Sequence, residues 1–321
     1  MTKSNLDFYA SYHGLTAKDV SRIGGEREMD VYARLQLLTL TLPSDTLKEV
    51  GRGMYRDLVH RPDGHPSNYD QFIAQRRAQM DRLGLLSSPP EQVALMPEHS
   101  FALQFTLTLR KPYLSKDDEL LHVIDNPVAK DRVFRVPMVR SSSWKGTLRS
   151  AARLTLSLGD CDEQMVRLFG SEKGEREEKL EAGRLFFYTT FFDRVDLEII
   201  NPHDRERKVG VNPILIESVP VGARGMFSLL YAPFDLLTAS KDRLVTEVRA
   251  DLEAVTESLR ALMLDLGFSA KRTSGYGVIH DRDLDGHLWF KRDGEVSDHS
   301  FNTFCELKNV CQQIIGGQAN D

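Results

Sequence analysis

The stretch Phe101-Ala102-Leu103-Gln104-Phe105-Thr106-Leu107-Thr108-Leu109-Arg110 sets large apolar residues at every second position against small or polar ones. A period of two is the mark of a strand with one buried face. Downstream, few periodic apolar positions occur between Lys111 and Pro137, so a long loop follows, of a length that in a compact domain is usually functional or mobile. The run Trp144 to Leu158 carries Leu148, Ala151, Ala152, Leu154, Thr155 and Leu158 and predicts a helix whose N-terminus is the cluster Ser141, Ser142 and Ser143. Gly183 to Phe192 is the strongest strand signal in the chain. Ile199 to Glu217 predicts a long hairpin and Gly225 to Tyr231 a further strand. Leu244 to Leu266 reads as an amphipathic helix, with Val248, Leu252, Val255, Leu259, Leu262, Met263 and Leu266 at spacings of three and four. Strands and helices mixed without a repeating βαβ glycine signature indicate an α+β domain.

Upstream of this domain, residues 1 to 97 differ in character. Tyr32 to Leu40 is a strand-like or buried apolar run ended by Pro43. Ser44 or Asp45 then caps a helix to about Arg61, with Leu47, Val50, Met54 and Leu58 at helical spacing. Arg61-Pro62-Asp63-Gly64 is a turn, and a second helix spans Tyr69 to Leu83 with Phe72, Ile73, Met80 and Leu83 inward. This largely helical extension shows no chemistry in its sequence. The expected organisation is therefore an extension (1–97), a core domain (98–290) and a C-terminal tail (291–321). The mixed-charge stretch Glu172 to Glu181 reads as an exposed loop or short charged helix.

Bulk properties exclude several classes. Three cysteines, Cys161, Cys305 and Cys311, lack metal-ligand spacing, and their odd number argues against a disulfide framework and for a reducing cytoplasm. No apolar run reaches membrane-spanning length, so the expectation is a soluble protein with no membrane partner. The net charge of -5 speaks against indiscriminate polyanion binding, yet Val128 to Arg153 holds seven basic residues, Lys130, Arg132, Arg135, Arg140, Lys145, Arg149 and Arg153, against the single acid Asp131.

Two constellations fall on expected turns and loops. Val136-Pro137-Met138-Val139-Arg140-Ser141-Ser142-Ser143-Trp144-Lys145-Gly146-Thr147-Leu148-Arg149 is a hydroxyl-rich turn running into a helix with cations within one turn of its end, an arrangement that binds phosphates. Taken alone it is also an ordinary serine cap with incidental basic neighbours. The second, Gly267-Phe268-Ser269-Ala270-Lys271-Arg272-Thr273-Ser274-Gly275-Tyr276-Gly277, lets a backbone pass close to a ligand, with Lys271 and Arg272 available to phosphate and Tyr276 to a base. It lacks the spacing of a nucleotide-binding P-loop. A glycine-rich turn feeding a strand is the plain alternative.

The order of these pieces resembles the RAMP superfamily over about residues 100 to 282, and within it the backbone subunits of type III CRISPR effector complexes. The resemblance rests on the first strand, the loop with Ile124-Asp125-Asn126-Pro127-Val128-Ala129-Lys130-Asp131, the Ser141-Ser142-Ser143-Trp144-Lys145-Gly146-Thr147-Leu148-Arg149 turn and the Gly275-Tyr276-Gly277 loop. Val139-Arg140 replaces the usual Pro-Gly before the serines, and Trp144 is bulky for its place.

The resemblance implies a modified ferredoxin-like (RRM-type) core with a thumb hairpin, at about residues 199–222, that pushes between guide and target bases. It implies RNA contacts from Lys130, Arg140, Ser141, Ser142, Ser143, Lys145, Arg149, Lys271, Arg272 and Tyr276, with His203, Arg205, Arg207 and Lys208 on the thumb and Gly146, Gly267, Gly275 and Gly277 shaping the RNA loops. The implied partners are a CRISPR guide RNA, a complementary target RNA, other effector subunits and further copies of the same chain. Asp125 occupies the place of the catalytic aspartate of those subunits that cleave target RNA by 2′-hydroxyl attack with Mg²⁺. The plain alternative is that Asp125 caps an Asp-Asn-Pro turn in a subunit that only binds RNA. On the same residues His122 reads as an exposed loop histidine before it reads as a proton-transfer helper, Asp131 as structural, and Glu217 as a structural partner for the basic hairpin before a catalyst. A guide-processing endonuclease, a filament-capping subunit and a protein scaffold unrelated to RNA are the competing classes.

Overall fold

The computed structural model describes residues 16–25, 29–61, 64–86, 89–117, 122–171, 181–200 and 213–316. Its first half holds α1 (Ala17–Gly25), α2 (Val31–Leu38), α3 (Asp45–Val59), α4 (Asn68–Arg82), α5 (Pro89–Leu95), β1 (Phe101–Thr108), β2 (Met138–Val139) and α6 (Ser141–Leu156). Then come α7 (Glu163–Phe169), β3 (Leu185–Phe187), β4 (Thr190–Phe191), β5 (Asp196–Ile200), β6 (Ile214–Ser218), β7 (Arg224–Tyr231), α8 (Lys241–Ala261), β8 (Gly286–Arg292), β9 (Glu295–Phe301) and α9 (Phe304–Gly316). Two compact units emerge, one from Met1–Met80, Leu114–Pro137 and Asp193–Pro220, the other from Asp81–Tyr113, Met138–Phe192 and Val221–Asp321. The division is therefore not the serial one expected, because two excursions from the core domain join the N-terminal segment.

The second unit is built on a five-stranded antiparallel sheet of order β3-β7-β1-β8-β9. Taking β1, α6, β3, β7, α8 and β8 in turn gives a βαββαβ path whose four strands lie in the ferredoxin-like order, with β9 added at one edge. The period-two reading of β1 holds: Phe101, Leu103, Phe105 and Leu107 are buried, and across the ladder they face Tyr231, Leu229, Phe227 and Gly225. Phe101 stacks on Tyr231 and Phe105 on Phe227 at 4.5 and 5.0 Å between ring centroids. Arg184, 3% exposed, is locked among Asp235, Glu247, Asp251 and the Tyr231 hydroxyl, so the start of β3 is tied to α8.

Residues 291–316 are not a tail. Asp293 and Gly294 both take positive φ, 51° and 81°, which is the tight turn that an Asp-Gly pair favours, and it folds β9 back on β8. α9 then places Phe304 edge-on to Phe105. The strand expected over 183–192 is split: β3 leaves the main sheet after Phe187, and β4 pairs with β2 instead. The Thr190 hydroxyl fixes that departure by donating to the Met226 carbonyl at 2.8 Å.

In the first unit the run expected to be strand-like is α2. Asp30 accepts from the Tyr32 N–H at 2.8 Å as its cap, and the leucines of the run are good helix formers that bury Leu35, Leu37 and Leu38. α3 and α4 fall within a residue or two of their expected bounds, with Ser44 accepting from the Leu47 N–H. Leu83 is 65% exposed, not inward, because α4 ends at Arg82. β5 and β6 pair antiparallel within the stretch expected to form the hairpin. The residues between them, His203, Arg205, Arg207 and Lys208 included, lie outside the described residues, as does 172–180.

Candidate nucleic-acid interface and cleavage loop

In the second unit the serine turn and the glycine loop come together through one ring. Trp144 is fully buried, donates its indole N–H to Thr190 Oγ1 at 3.0 Å, and lies 4.6 Å from the Phe268 ring and 4.9 Å from Phe227. The bulky residue is thus the pin that sets the start of α6 against the loop after α8. The serines are not caps: α6 begins at Ser141, and Arg140 stands at the cap position with φ −65° and ψ 147° and no side-chain cap bond. That conformation needs no glycine, which is why Val139-Arg140 serves where Pro-Gly is usual. The first turn of α6 contains no acidic residue, so its N–H groups and macrodipole are not offset by a carboxylate there.

Ser142, Ser143 and Gly146 are exposed, and Ser141, Lys145 and Arg149 half-buried. A Cβ at Gly146 would meet nothing within 4 Å, so this surface is open. Partial burial and the neighbouring Arg149 lower the Lys145 ammonium below its ordinary value. Arg149 is braced by Asp160 at 3.1 Å.

The glycine loop is pinched at its base. A Cβ at Gly267 would lie 2.3 Å from the Tyr276 carbonyl oxygen, and one at Gly277 would lie 2.5 Å from the Ser269 Cβ. Both glycines have positive φ, as does Gly275. Lys271 and Arg272 stand exposed at the tip, Lys271 in a left-handed conformation, while Tyr276 is half-buried at the neck.

The loop of residues 122–131 belongs to the first unit and is held from many sides. Asn126 C=O accepts from the Glu217 N–H, Glu217 accepts from the Val128 N–H, and Ser115 Oγ accepts from the Ala129 N–H, at 3.1, 2.8 and 2.9 Å. Glu217 is fully buried and also receives the Tyr55 hydroxyl and the Lys130 ammonium. Burial raises this carboxyl's proton affinity, but the Lys130 charge, the nearby His122 and the hydrogen bonds from Lys130 and Tyr55 together outweigh it and leave the group below the usual carboxylate range. Lys130 is thereby corrected: its side chain is 2% exposed and paired, a poor position from which to meet RNA. Glu217 is the structural partner of Lys130 and Tyr55. His122 is half-buried edge-on to Tyr55, not an exposed loop residue, and Asp131 caps its own turn by accepting from the Val133 and Phe134 N–H groups.

Of the two acids of residues 122–131, Asp125 is the more exposed, its side chain 47% accessible. It does not cap the Asp-Asn-Pro turn. Arg52 reaches Oδ2 at 2.5 Å and Lys48 reaches Oδ1 at 3.5 Å, both from α3. Arg52 also donates to Glu49 and to the Val123 carbonyl. Sequence reasoning missed both cations, although Lys48, Arg52 and Tyr55 at i, i+4 and i+7 fall on one helix face.

A family model described as the RAMP superfamily matches residues 24–280. The chain belongs to the RAMP superfamily. This RAMP protein is 27% identical over 167 residues, 49% of its length and 74% of the relative's, to the "CRISPR system Cms endoribonuclease Csm3" of Streptococcus thermophilus. A protein of the same name from Enterococcus italicus is 29% identical over 177 residues, 50% of the RAMP chain and 78% of the relative. Among solved structures, a chain of a type III-B Cmr-beta complex bound to cognate target RNA aligns with a TM-score of 0.47 at 12% identity, covering 89% of this RAMP chain and 99% of the other. Among the described residues no helix is long and apolar enough to cross a membrane, and no group of three or more His, Cys, Asp and Glu side chains is gathered to hold a metal.

Proposed function

We propose that this RAMP protein is a guide-RNA-binding backbone subunit of a type III CRISPR effector, which holds a guide–target duplex and cleaves the target at Asp125. The observation that carries the reading is the contrast in the 122–130 loop: a backbone fastened to Glu217 and Ser115, and one half-exposed acid set against two cations of α3. Catalytic groups sit on loops held by a rigid scaffold. The names of the two relatives support both the CRISPR setting and the endoribonuclease activity. The exposed serines, Lys145, Lys271 and Arg272 supply phosphate contacts, and Arg205, Arg207 and Lys208 of the thumb are proposed to join them. Partners are the guide RNA, a complementary target, other effector subunits and further copies of the chain. Cys161, Cys305 and Cys311 as free thiols suit a cytoplasmic setting.

The residues present fit a hydrated Mg²⁺, which uses one or two carboxylates and completes its shell with water and substrate phosphate. Asp125 would hold it through Oδ1 once the long Lys48 pair at 3.5 Å gives way, because Arg52 occupies Oδ2 at 2.5 Å. Bound there, Mg²⁺ supplies positive charge against the phosphorane that forms when a ribose 2′-hydroxyl attacks the adjacent phosphorus. The chain's own contribution is to hold the strand by its phosphates and to fix one carboxylate beside the reacting ribose.

A second reading, a filament or capping subunit that binds guide RNA and leaves cleavage to a partner nuclease, is favoured by the Arg52 and Lys48 pairing of Asp125. The experiment that separates them is cleavage of labelled RNA complementary to a loaded guide, with Mg²⁺ or EDTA, in wild-type and Asp125→Ala complexes. Regularly spaced, metal-dependent cuts lost in the variant support the endoribonuclease; an intact target in the wild type supports the binding subunit.

A further inference from the structure

The cations at Asp125 come from α3, a helix of the N-terminal segment in which the sequence showed no chemistry. Lys48, Arg52 and Tyr55 share one face of it, and Tyr55 fastens that face by its bond to buried Glu217. The position of the two cations over the loop is therefore set by a buried anchor one turn away. The cations differ in how firmly they are held. Arg52 has three tethers: the Asp125 carboxylate at 2.5 Å, the Glu49 carboxylate at 3.0 Å and the Val123 carbonyl at 3.4 Å. It grips both the acid and the backbone two residues before it. Lys48 has a single long ion pair, 3.5 Å from Asp125 Oδ1, on a side chain 29% exposed. A half-exposed pair of this kind is weak and easily exchanged for a stronger anion. The compact ammonium is well suited to a phosphate oxygen.

Resting on the cleavage reading of Asp125, we infer that α3 is part of the RNA-cleaving site: Arg52 is the positioning residue for Asp125, and Lys48 meets the scissile phosphodiester of the target. In that step the bond from the 2′-oxygen to phosphorus forms and the bond from phosphorus to the 5′-oxygen breaks. The 2′-hydroxyl proton passes to water and the 5′-oxygen takes one from water, so charge balances. Lys48 stays an ammonium throughout and offsets the charge on the non-bridging oxygens as the phosphorane forms. Lys48 exchanges Asp125 for the substrate phosphate, while Asp125 keeps Arg52.

The test uses complexes assembled on a guide RNA with wild-type chain, Lys48→Ala, Arg52→Ala, Arg52→Lys and Asp125→Ala, read by single-turnover cleavage and by target-RNA affinity across a salt series. Lys48→Ala is expected to cut about 10²-fold more slowly and to lower the slope of log affinity against log salt by about one, as loss of one phosphate contact does. Arg52→Ala is expected to slow cleavage and raise the Mg²⁺ concentration for half-maximal rate with the salt slope unchanged, and Arg52→Lys to recover part of the rate. Such a shift in Mg²⁺ requirement is one that a merely structural ion pair would not produce. Loss of cutting in Asp125→Ala, with wild-type rates and slopes in the Lys48 and Arg52 variants, overturns the inference and leaves the cleavage reading standing. An intact target in the wild-type complex overturns both.

Discussion

Tyr55 and Glu217, 162 residues apart in sequence, share a hydrogen bond in a fully buried setting, and the same carboxylate takes the Lys130 ammonium. Removing one member strands the others. Lys130→Met leaves a buried carboxylate without its counter-charge and is expected to destabilise the first unit by about 3–5 kcal/mol. Tyr55→Phe removes one neutral donor to a charge and is expected to cost about 1.5–3 kcal/mol. Urea unfolding of the isolated chain checks both, and near-equal losses would contradict this ranking.

The pH dependence follows from the same carboxyl. Glu217 is held below its ordinary value of 4.5, so the folded protein binds its proton less readily than the unfolded chain. Its contribution to stability is complete above the ordinary value and is lost as pH falls through the depressed one. The difference in unfolding free energy between wild type and Glu217→Gln is therefore expected to shrink on acidification. A difference that stays constant into the acid range would show that the partners of Glu217 do not outweigh its burial.

Glycines of the RNA loops separate by role. Gly277→Ala puts a Cβ against Ser269 at positive φ and is expected to cost about 2 kcal/mol or more in thermal or urea unfolding. Gly146→Ala points into open space on α6 and is expected to hold or slightly raise stability. If RNA passes close to α6, Gly146→Ala lowers guide-RNA affinity despite that stability, whereas unchanged affinity would remove Gly146 from the interface.

Salt titration ranks the cations. Lys145→Ala and Lys271→Ala are each expected to reduce the salt slope of guide-RNA binding by about one. Lys130, buried against Glu217, contributes nothing to that slope. A Lys130→Met chain that still folds and shows a reduced slope would refute its structural assignment.

Much of the sheet unit was legible because its signals are local. The alternation in β1, the three-and-four spacing in α8 and the order of serine turn and glycine loop each sit within a short window. What escaped depends on partners distant in sequence. Lys130 reads as one more cation in a basic window until Glu217, on β6, is brought beneath it. Tyr32 to Leu40 carries enough leucine for a helix and enough apolar content for a strand, and the Asp30 cap decides between them. The Asp293-Gly294 turn, by contrast, was a strong local signal that the expected tail overlooked. Asp125 was found through resemblance, and its two cations were missed because no motif joins α3 to a loop more than seventy residues later.

The first unit is stitched from three separate stretches of chain, the last ending at Pro220. On the ribosome its N-terminal helices emerge long before the strand carrying Glu217 has been made, so Tyr55 must wait for its partner through most of synthesis. The helices before Met80 therefore appear well before they can settle, a delay that leaves their apolar faces exposed while the rest of the unit is made.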